Sequence, residues 1–323
     1  MAKIAVLNPN MGFLSGDRTM HRWAEVFIEL FSDGIVSYEE AKTYQGDVIV
    51  CLNGRPDSPQ NHPPKEFKGV KVVHLMDHVF QVERTLKTLK EHDIQYVIGY
   101  NRHDKYDPFF QEHYKDFTDK VIPVPFGFND LRFRSAKRFE DRINKVVGLG
   151  AVNPVSDPLC LADVEVYRTF HKKEPFTHRW RKKLSDSTDF LAGEMDSYFP
   201  AYPKTKDFDY DIVSVYNSYK MFTTCESIMN YPSVKMFEGM ACGSVFVGND
   251  NECYTAIGLK NRENCLLHKY EDIESFRETV RWAQDNPKAL EEIAMNGQKF
   301  VRENFTPFKI AAYLNSQLTS LIK

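Results

Sequence analysis

The chain has 323 residues, 42% of them hydrophobic, and a formal net charge of −3. That length suits two domains, each large enough to bury its own core. Charges of both signs are mixed, without the basic stripe that a nucleic-acid backbone demands, and no run approaches the ~20 apolar residues that span a bilayer.

The first half alternates short apolar runs with helical patterns. Strands are predicted at Lys3–Leu7, Asp47–Leu52, Val70–Leu75, Ile94–Ile98 and Lys120–Val124, with amphipathic helices such as Met20–Phe31 and Val82–Glu91 between them. Buried strands alternating with helices predict a parallel sheet of Rossmann type. Residues 132–144 are charged and lack apolar runs, which predicts a linker. A second alternation follows: strand Val146–Val152, helices Thr177–Leu191 and Tyr210–Tyr219, strand Met221–Cys225, a helix-then-strand unit within 231–248, and strand Asn264–His268. Helices Ile273–Asp285, Pro287–Glu303 and Pro307–Ile322 close the chain. The expected class is α/β: two Rossmann-like domains, 1–135 and 145–305, and a closing helix in 306–323. Such sheets bind ligands outside the carboxyl ends of their strands.

The six cysteines, at 51, 160, 225, 242, 253 and 265, form no Cys-x-x-Cys pair and read as free thiols of a reducing compartment. The N-terminus enters a strand directly, with no charged segment and long apolar segment ahead of it, so a cytoplasmic protein is expected. No metal-ligand cluster stands out, so no metal site and no cofactor are expected.

The richest stretch is Tyr231-Pro-Ser-Val-Lys-Met-Phe-Glu-Gly-Met-Ala-Cys-Gly-Ser-Val-Phe-Val-Gly248. Pro232 and Ser233 suit a helix start, Val234, Phe237, Met240 and Ala241 an apolar face, and Gly243 a helix end. A helix N-terminus offers unpaired N–H groups to a phosphate. Glu238 lies about one and a half turns in, among small and apolar residues. A carboxylate there needs a partner, either a core donor or a ligand such as a ribose diol.

This stretch resembles the nucleotide-sugar site of the group 1 (family 4) glycosyltransferases, where a Phe-Glu-Ala-Met-Ala-Cys-Gly-like segment precedes a strand and its Glu holds the donor's ribose. The match is Phe237-Glu238-Gly239-Met240-Ala241-Cys242-Gly243. Two further phrases are similar to the family's. Val124-Pro125-Phe126-Gly127 through Phe133 ends the last N-domain strand, and Arg302-Glu303-Asn304-Phe305-Thr306 precedes the last helix. The resemblance implies a GT-B fold, with the last helix crossing back to the N-domain. It also implies that the Gly12 and Gly16 loop faces the donor phosphates. Near the transferred sugar it places Asp77 or His78, after the third predicted strand, in preference to His74 inside it.

The pattern also departs from the family. Asn230 stands where many members carry a second Glu, eight residues before Glu238, and Glu226 lies nearby as a substitute. The Arg and Lys expected after the first C-domain strand are missing from Gly148–Pro154. Lys235, or the group Lys172, Lys173, Arg179 and Arg181, are the candidate replacements.

The expected activity is transfer of a sugar from a nucleoside-diphosphate donor to a hydroxyl acceptor, with retention and without metal. Asp77, His78 and Glu238 are the expected catalytic residues. Donor binding is expected from Gly12, Gly16, Glu226, Asn230, Tyr231, Ser233, Val234 and Lys235. A UDP- or GDP-sugar fits as donor, and a glycan or a lipid-linked sugar as acceptor. A nucleic-acid acceptor finds little support, because residues 1–146 hold 21 Lys+Arg against 21 Asp+Glu. The alternatives are a nucleotide-sugar epimerase or phosphorylase of the same fold, or a non-catalytic nucleotide-sugar-binding partner subunit.

Overall fold

Two all-parallel sheets organise the chain, as buried strands separated by helical crossovers require. The computed structural model describes residues 2–7, 22–52, 61–75, 78–79, 81–152, 178–199, 211–226 and 229–322. These fall into two units, one built from residues up to 127 together with 306 onward, the other from the remainder.

The first unit holds a six-stranded sheet in the order β2-β1-β3-β4-β5-β6. Its strands are β1 (Ile4–Leu7), β2 (Ile35–Val36), β3 (Val48–Cys51), β4 (Val70–His74), β5 (Tyr96–Gly99) and β6 (Val121–Pro123). Every residue of β1 and β3 is buried, which is why both read as unbroken apolar runs. Around the sheet lie α1 (Arg22–Phe31), α2 (Tyr38–Thr43), α3 (Val82–Glu91), α4 (His103–Tyr106) and α5 (Pro108–His113). Neither β2 nor α2 was expected from sequence: two residues carry no periodicity, and α2 rests on the Ser37–Glu40 capping box.

The second unit holds a five-stranded sheet in the order β11-β10-β9-β7-β8. Its strands are β7 (Ile143–Leu149), β8 (Met195–Tyr198), β9 (Tyr219–Thr223), β10 (Val245–Asn249) and β11 (Leu266–His268). Its helices are α6 (Arg179–Asp186), α7 (Ile212–Ser218), α8 (Val234–Ala241), α9 (Glu252–Thr255), α10 (Ile273–Asp285) and α11 (Pro287–Asn304). The last helix, α12 (Pro307–Ser320), belongs to the first unit and packs on α1, where Phe308 meets Phe31.

Residues 132–144, the expected linker, are mostly exposed, with Phe133 and Arg142 buried. Arg142 is buried and donates to the Cys242 carbonyl (3.0 Å), the Lys137 carbonyl (2.9 Å) and Ser135 Oγ (2.9 Å). Asn217 Oδ1 accepts from the Ala136 N–H at 2.7 Å. The Asn217 and Cys242 acceptors lie 81 and 100 positions away, so this anchoring has no local signal in the sequence. The strand expected at 146–152 starts and ends three residues earlier. Gly150, at φ +110, turns the chain out of the sheet, and an added Cβ there would lie 2.5 Å from Arg181 Cζ.

Candidate active site

Helix α8 begins where the sequence placed it. Ser233 occupies the N-cap with extended backbone angles, yet its side chain makes no capping hydrogen bond. Its Oγ lies 3.4 Å from Thr224 Oγ1 instead. The first N–H groups of α8 therefore keep the positive end of the helix dipole unsatisfied by the usual cap. Val234 and Tyr231 are buried, and Ser233, Lys235 and Glu238 are half-buried. The far end of α8 is closed by two arginines and an amide. Arg142 reaches the Cys242 carbonyl, Arg302 the Ala241 carbonyl at 2.9 Å, and Gln298 the same carbonyl at 3.0 Å. Gly243 follows at φ +74, the left-handed position that lets a helix stop.

Helix α6 brings Arg181 to the start of α8. Arg181 is 4% exposed and donates from Nη2 to Thr224 Oγ1 at 2.9 Å and from Nη1 to the Ala151 carbonyl at 3.3 Å. Its Nε is buried without an acceptor. Among the described residues no carboxylate pairs with Arg181 or with Lys235. Burial pushes the Lys235 ammonium below its ordinary value, and the positive charge of Arg181 pushes the same way, against an opposing pull from Glu238. His178 stands beside them, with Nδ1 3.3 Å from Cys225 Sγ. Burial, then Arg181 and Lys235, hold it well below the usual histidine range, so it is neutral. The result is two close positive charges with no carboxylate in ion-pair contact with either among the described residues.

Glu238 is neither walled off nor committed to a strong partner. Tyr216 OH, which donates to the Lys235 carbonyl at 3.1 Å, lies 3.5 Å from Glu238 Oε2. Burial raises the carboxyl above its usual range, opposed by Lys235 and Arg132. Gly239, where the family has Ala, packs directly on the Phe222 ring: an added Cβ would lie 2.5 Å from Cζ.

Glu226 does not stand in as a second ligand-facing carboxylate. It is 4% exposed and accepts from Asn249 Nδ2 (3.0 Å), Asn251 Nδ2 (3.4 Å) and Tyr254 OH (3.2 Å). Asn230 adopts φ +52 and accepts from Asn251 at 2.7 Å. Both residues therefore hold together the loops after β9 and β10, because their oxygens already face protein donors. The Tyr231 N–H bonds to the Glu226 carbonyl at 3.1 Å and carries this loop into α8.

In the first unit, His78 lies four residues past the carboxyl end of β4. Its Nε2 is 2.5 Å from Asp107 Oδ2, and both side chains are about 1% exposed. His78, His103 and Asp107 bring their ligand-capable atoms within 4.8 Å of one another, a grouping that no spacing in the sequence announces. Gly12, Gly16, Asp77, Lys172 and Lys173 lie outside the described residues. A cavity of about 610 Å³, lined by Leu89, Lys90, Ile94, Phe117 and Lys120 among others, sits by the amino ends of β5 and β6, away from the edge where such sheets bind ligands.

Arg181, His178, Thr224 and Tyr216 are the contributors that sequence spacing did not single out. Arg181 was visible only as one of a group of surface-like cations. Its role depends on how α6 packs, and no local pattern encodes that.

Residues 174–316 match the family model described as glycosyl transferase-like. No curated protein sequence matches the chain. The fold is similar to that of Anabaena HepE solved with UDP and glucose, with a TM-score of 0.57 and 13% identity over 99% of this chain and 100% of that one. A sucrose-phosphate synthase from Thermosynechococcus elongatus gives a TM-score of 0.51 and 12% identity over 95% of this chain and 80% of that one. A glycosyltransferase from Rickettsia africae gives 0.51 and 14% over 96% and 84%. No helix among the described residues is long and apolar enough to cross a membrane. The chain thus has the fold of the GT-B glycosyltransferases, and its residues 174–316 are similar to the glycosyl transferase-like family.

Proposed function

We propose that the second unit binds a nucleoside-diphosphate sugar, a UDP-sugar first among the candidates, and that the enzyme transfers the sugar to a hydroxyl acceptor. One observation carries this reading. Arg181 and Lys235 converge on the uncapped start of α8, with no carboxylate paired to either among the described residues, one and a half turns before Glu238. A diphosphate matches that charge, and Glu238 then accepts hydrogen bonds from the ribose hydroxyls. The UDP seen with HepE fits the same reading.

The chemistry follows from the charge. As the bond between the sugar's anomeric carbon and the phosphate oxygen breaks, negative charge grows on the diphosphate. Arg181, Lys235 and the α8 N–H groups are positioned to stabilise it. With that charge supplied by the protein, the reaction needs no metal and no cofactor. We read the transfer as retaining, on the resemblance to the group 1 glycosyltransferases, a fold in which retention needs no strong side-chain nucleophile. We assign acceptor binding to the first unit. We place the protein in the cytoplasm, where nucleotide sugars are available to it.

Calorimetry with UDP, GDP and their sugars, followed by product analysis, tests the reading. The expected result is UDP binding in the micromolar range and EDTA-insensitive transfer to a sugar hydroxyl, both lost in Glu238→Ala without loss of the fold. Wild-type-like turnover in that variant refutes the role of Glu238. Donor conversion without any acceptor would assign an epimerase, and binding without turnover a partner subunit.

A further inference from the structure

Two hydroxyls decide what the start of α8 can offer a ligand. Thr224 follows β9 directly and is fully buried, and its Oγ1 accepts from Arg181 Nη2 at 2.9 Å. The same oxygen lies 3.4 Å from Ser233 Oγ. Ser233 is the N-cap of α8, where a serine hydroxyl ordinarily accepts from the second or third N–H of the helix. Here it makes no such bond, and the third of those groups, the Met236 N–H, turns to the Ser233 carbonyl at 3.0 Å. Ser233 and Lys235 are each partly exposed, so solvent reaches this end of the helix.

Arg181 is held from two further sides. Its Nη1 donates to the Ala151 carbonyl at 3.3 Å, and Gly150 leaves it room, since an added Cβ there would lie 2.5 to 2.8 Å from Cζ, Nε and Nη1. A guanidinium carries five N–H donors. Two of them are used, and Nε is buried without an acceptor. Arg142 differs: each of its three nitrogens has an acceptor, as a structural arginine requires. Arg181 is thus fixed in place with donors to spare. We propose that Thr224 is a positioning residue: its hydroxyl holds Arg181 beside the open start of α8, ready for a diphosphate, and draws Ser233 away from capping the helix. The inference rests on the donor-site reading above and deepens it. Every group involved belongs to the second unit. The competing use of Thr224 is structural, a hydroxyl that does no more than satisfy a buried cation.

Thr224→Val is the test, because it removes the hydroxyl at nearly unchanged shape. UDP affinity of the full chain, read by calorimetry, should fall roughly 3–10-fold, the worth of one hydrogen bond. Thr224→Ser keeps the hydroxyl and should recover most of the affinity. In an Arg181→Met background Thr224→Val should add little, because Thr224 acts through Arg181. Ser233→Ala should leave the denaturation midpoint of the empty protein unchanged, whereas loss of a working cap lowers it. Should Thr224→Val fail to fold, Thr224→Ala removes the same hydroxyl and takes its place in the cycle. Unchanged UDP affinity without the hydroxyl, no recovery in Thr224→Ser, or additive losses with Arg181→Met overturns the proposal and leaves the donor-site reading standing. A lower midpoint in Ser233→Ala overturns it as well, since α8 would then be capped by its own serine. A wild type that binds no UDP overturns the donor-site reading, and the proposal falls with it.

Discussion

Replacing Arg181 with Met separates a ligand-binding cation from a structural one. In the empty protein Arg181 makes two hydrogen bonds, to Thr224 Oγ1 and the Ala151 carbonyl. Losing them costs about 1 kcal/mol each. Against this, the substitution removes a charge that is 4% exposed and has no carboxylate partner among the described residues. A buried ion without a partner carries a penalty of several kcal/mol, and Met fills much of the same volume without it. The two effects oppose each other, so the empty variant should melt at the wild-type temperature or a few degrees above it. With a diphosphate bound the balance reverses. A charge-assisted contact to phosphate contributes about 1.5–3 kcal/mol, which corresponds to roughly 10–150-fold weaker UDP binding. The stabilisation conferred by saturating UDP should shrink by about 1.4 kcal/mol for each tenfold loss of affinity. Calorimetric titration and thermal melts with and without UDP read both quantities. Arg181→Lys should recover part of the affinity, since it keeps the charge but not the planar fork. An unchanged UDP affinity, or a variant that melts many degrees lower with affinity intact, would show that Arg181 is a structural prop and that the excess charge has another purpose.

Arg142 should behave in the opposite way. Its guanidinium is already matched by the Lys137 and Cys242 carbonyls and Ser135 Oγ, so Arg142→Met should destabilise the protein by about 3 kcal/mol or more, seen as a lower denaturant midpoint. Glu238→Gln tests the electrostatics of the ribose site. Burial raises the folded-state carboxyl above its ordinary 4.5, so the group's contribution to stability is present below the unfolded value and is lost as pH rises through the folded one. At neutral pH the Gln variant should therefore melt higher than the wild type, with the gap closing toward pH 4; a lower melting temperature at neutral pH contradicts this. UDP-sugar affinity of the wild type should also weaken as pH falls through the same raised value. Gly239→Ala would ordinarily stabilise a helix by about 0.5–1 kcal/mol. Here the new Cβ lies 2.5–2.8 Å from three atoms of the buried Phe222 ring, so a net loss of about 1–2 kcal/mol is expected. Adding Phe222→Leu should offset part of it, and additive costs in the double variant would show that the ring is not the obstacle.

The fold class and the α8 unit were legible in the sequence because both rest on short-range rules. Fully buried strands such as Val48–Cys51 must be apolar throughout, and helix α8 announces itself by Pro232-Ser233 before it and Gly243 after it. The position of Glu238 on that helix follows from counting residues. What the chain order could not disclose is which distant groups share a site. Arg181 and Lys235 are 54 positions apart. Nothing local distinguishes Arg181 from its exposed neighbour Arg179, and only the packing of α6 beside Gly150 turns the one inward and leaves the other in solvent. Glu226 shows the reverse case. Its residue type fits a ligand-binding carboxylate, yet the fold surrounds it with Asn249, Asn251 and Tyr254. Asp107 reads as a helix cap, and it becomes the partner of His78 only when the ends of β4 and β5 are brought side by side. Composition and periodicity specify which surfaces must be buried. Electrostatic matching among long side chains is settled by three-dimensional proximity, because Coulomb energy depends on distance through space and the dielectric around it, whatever the separation along the chain.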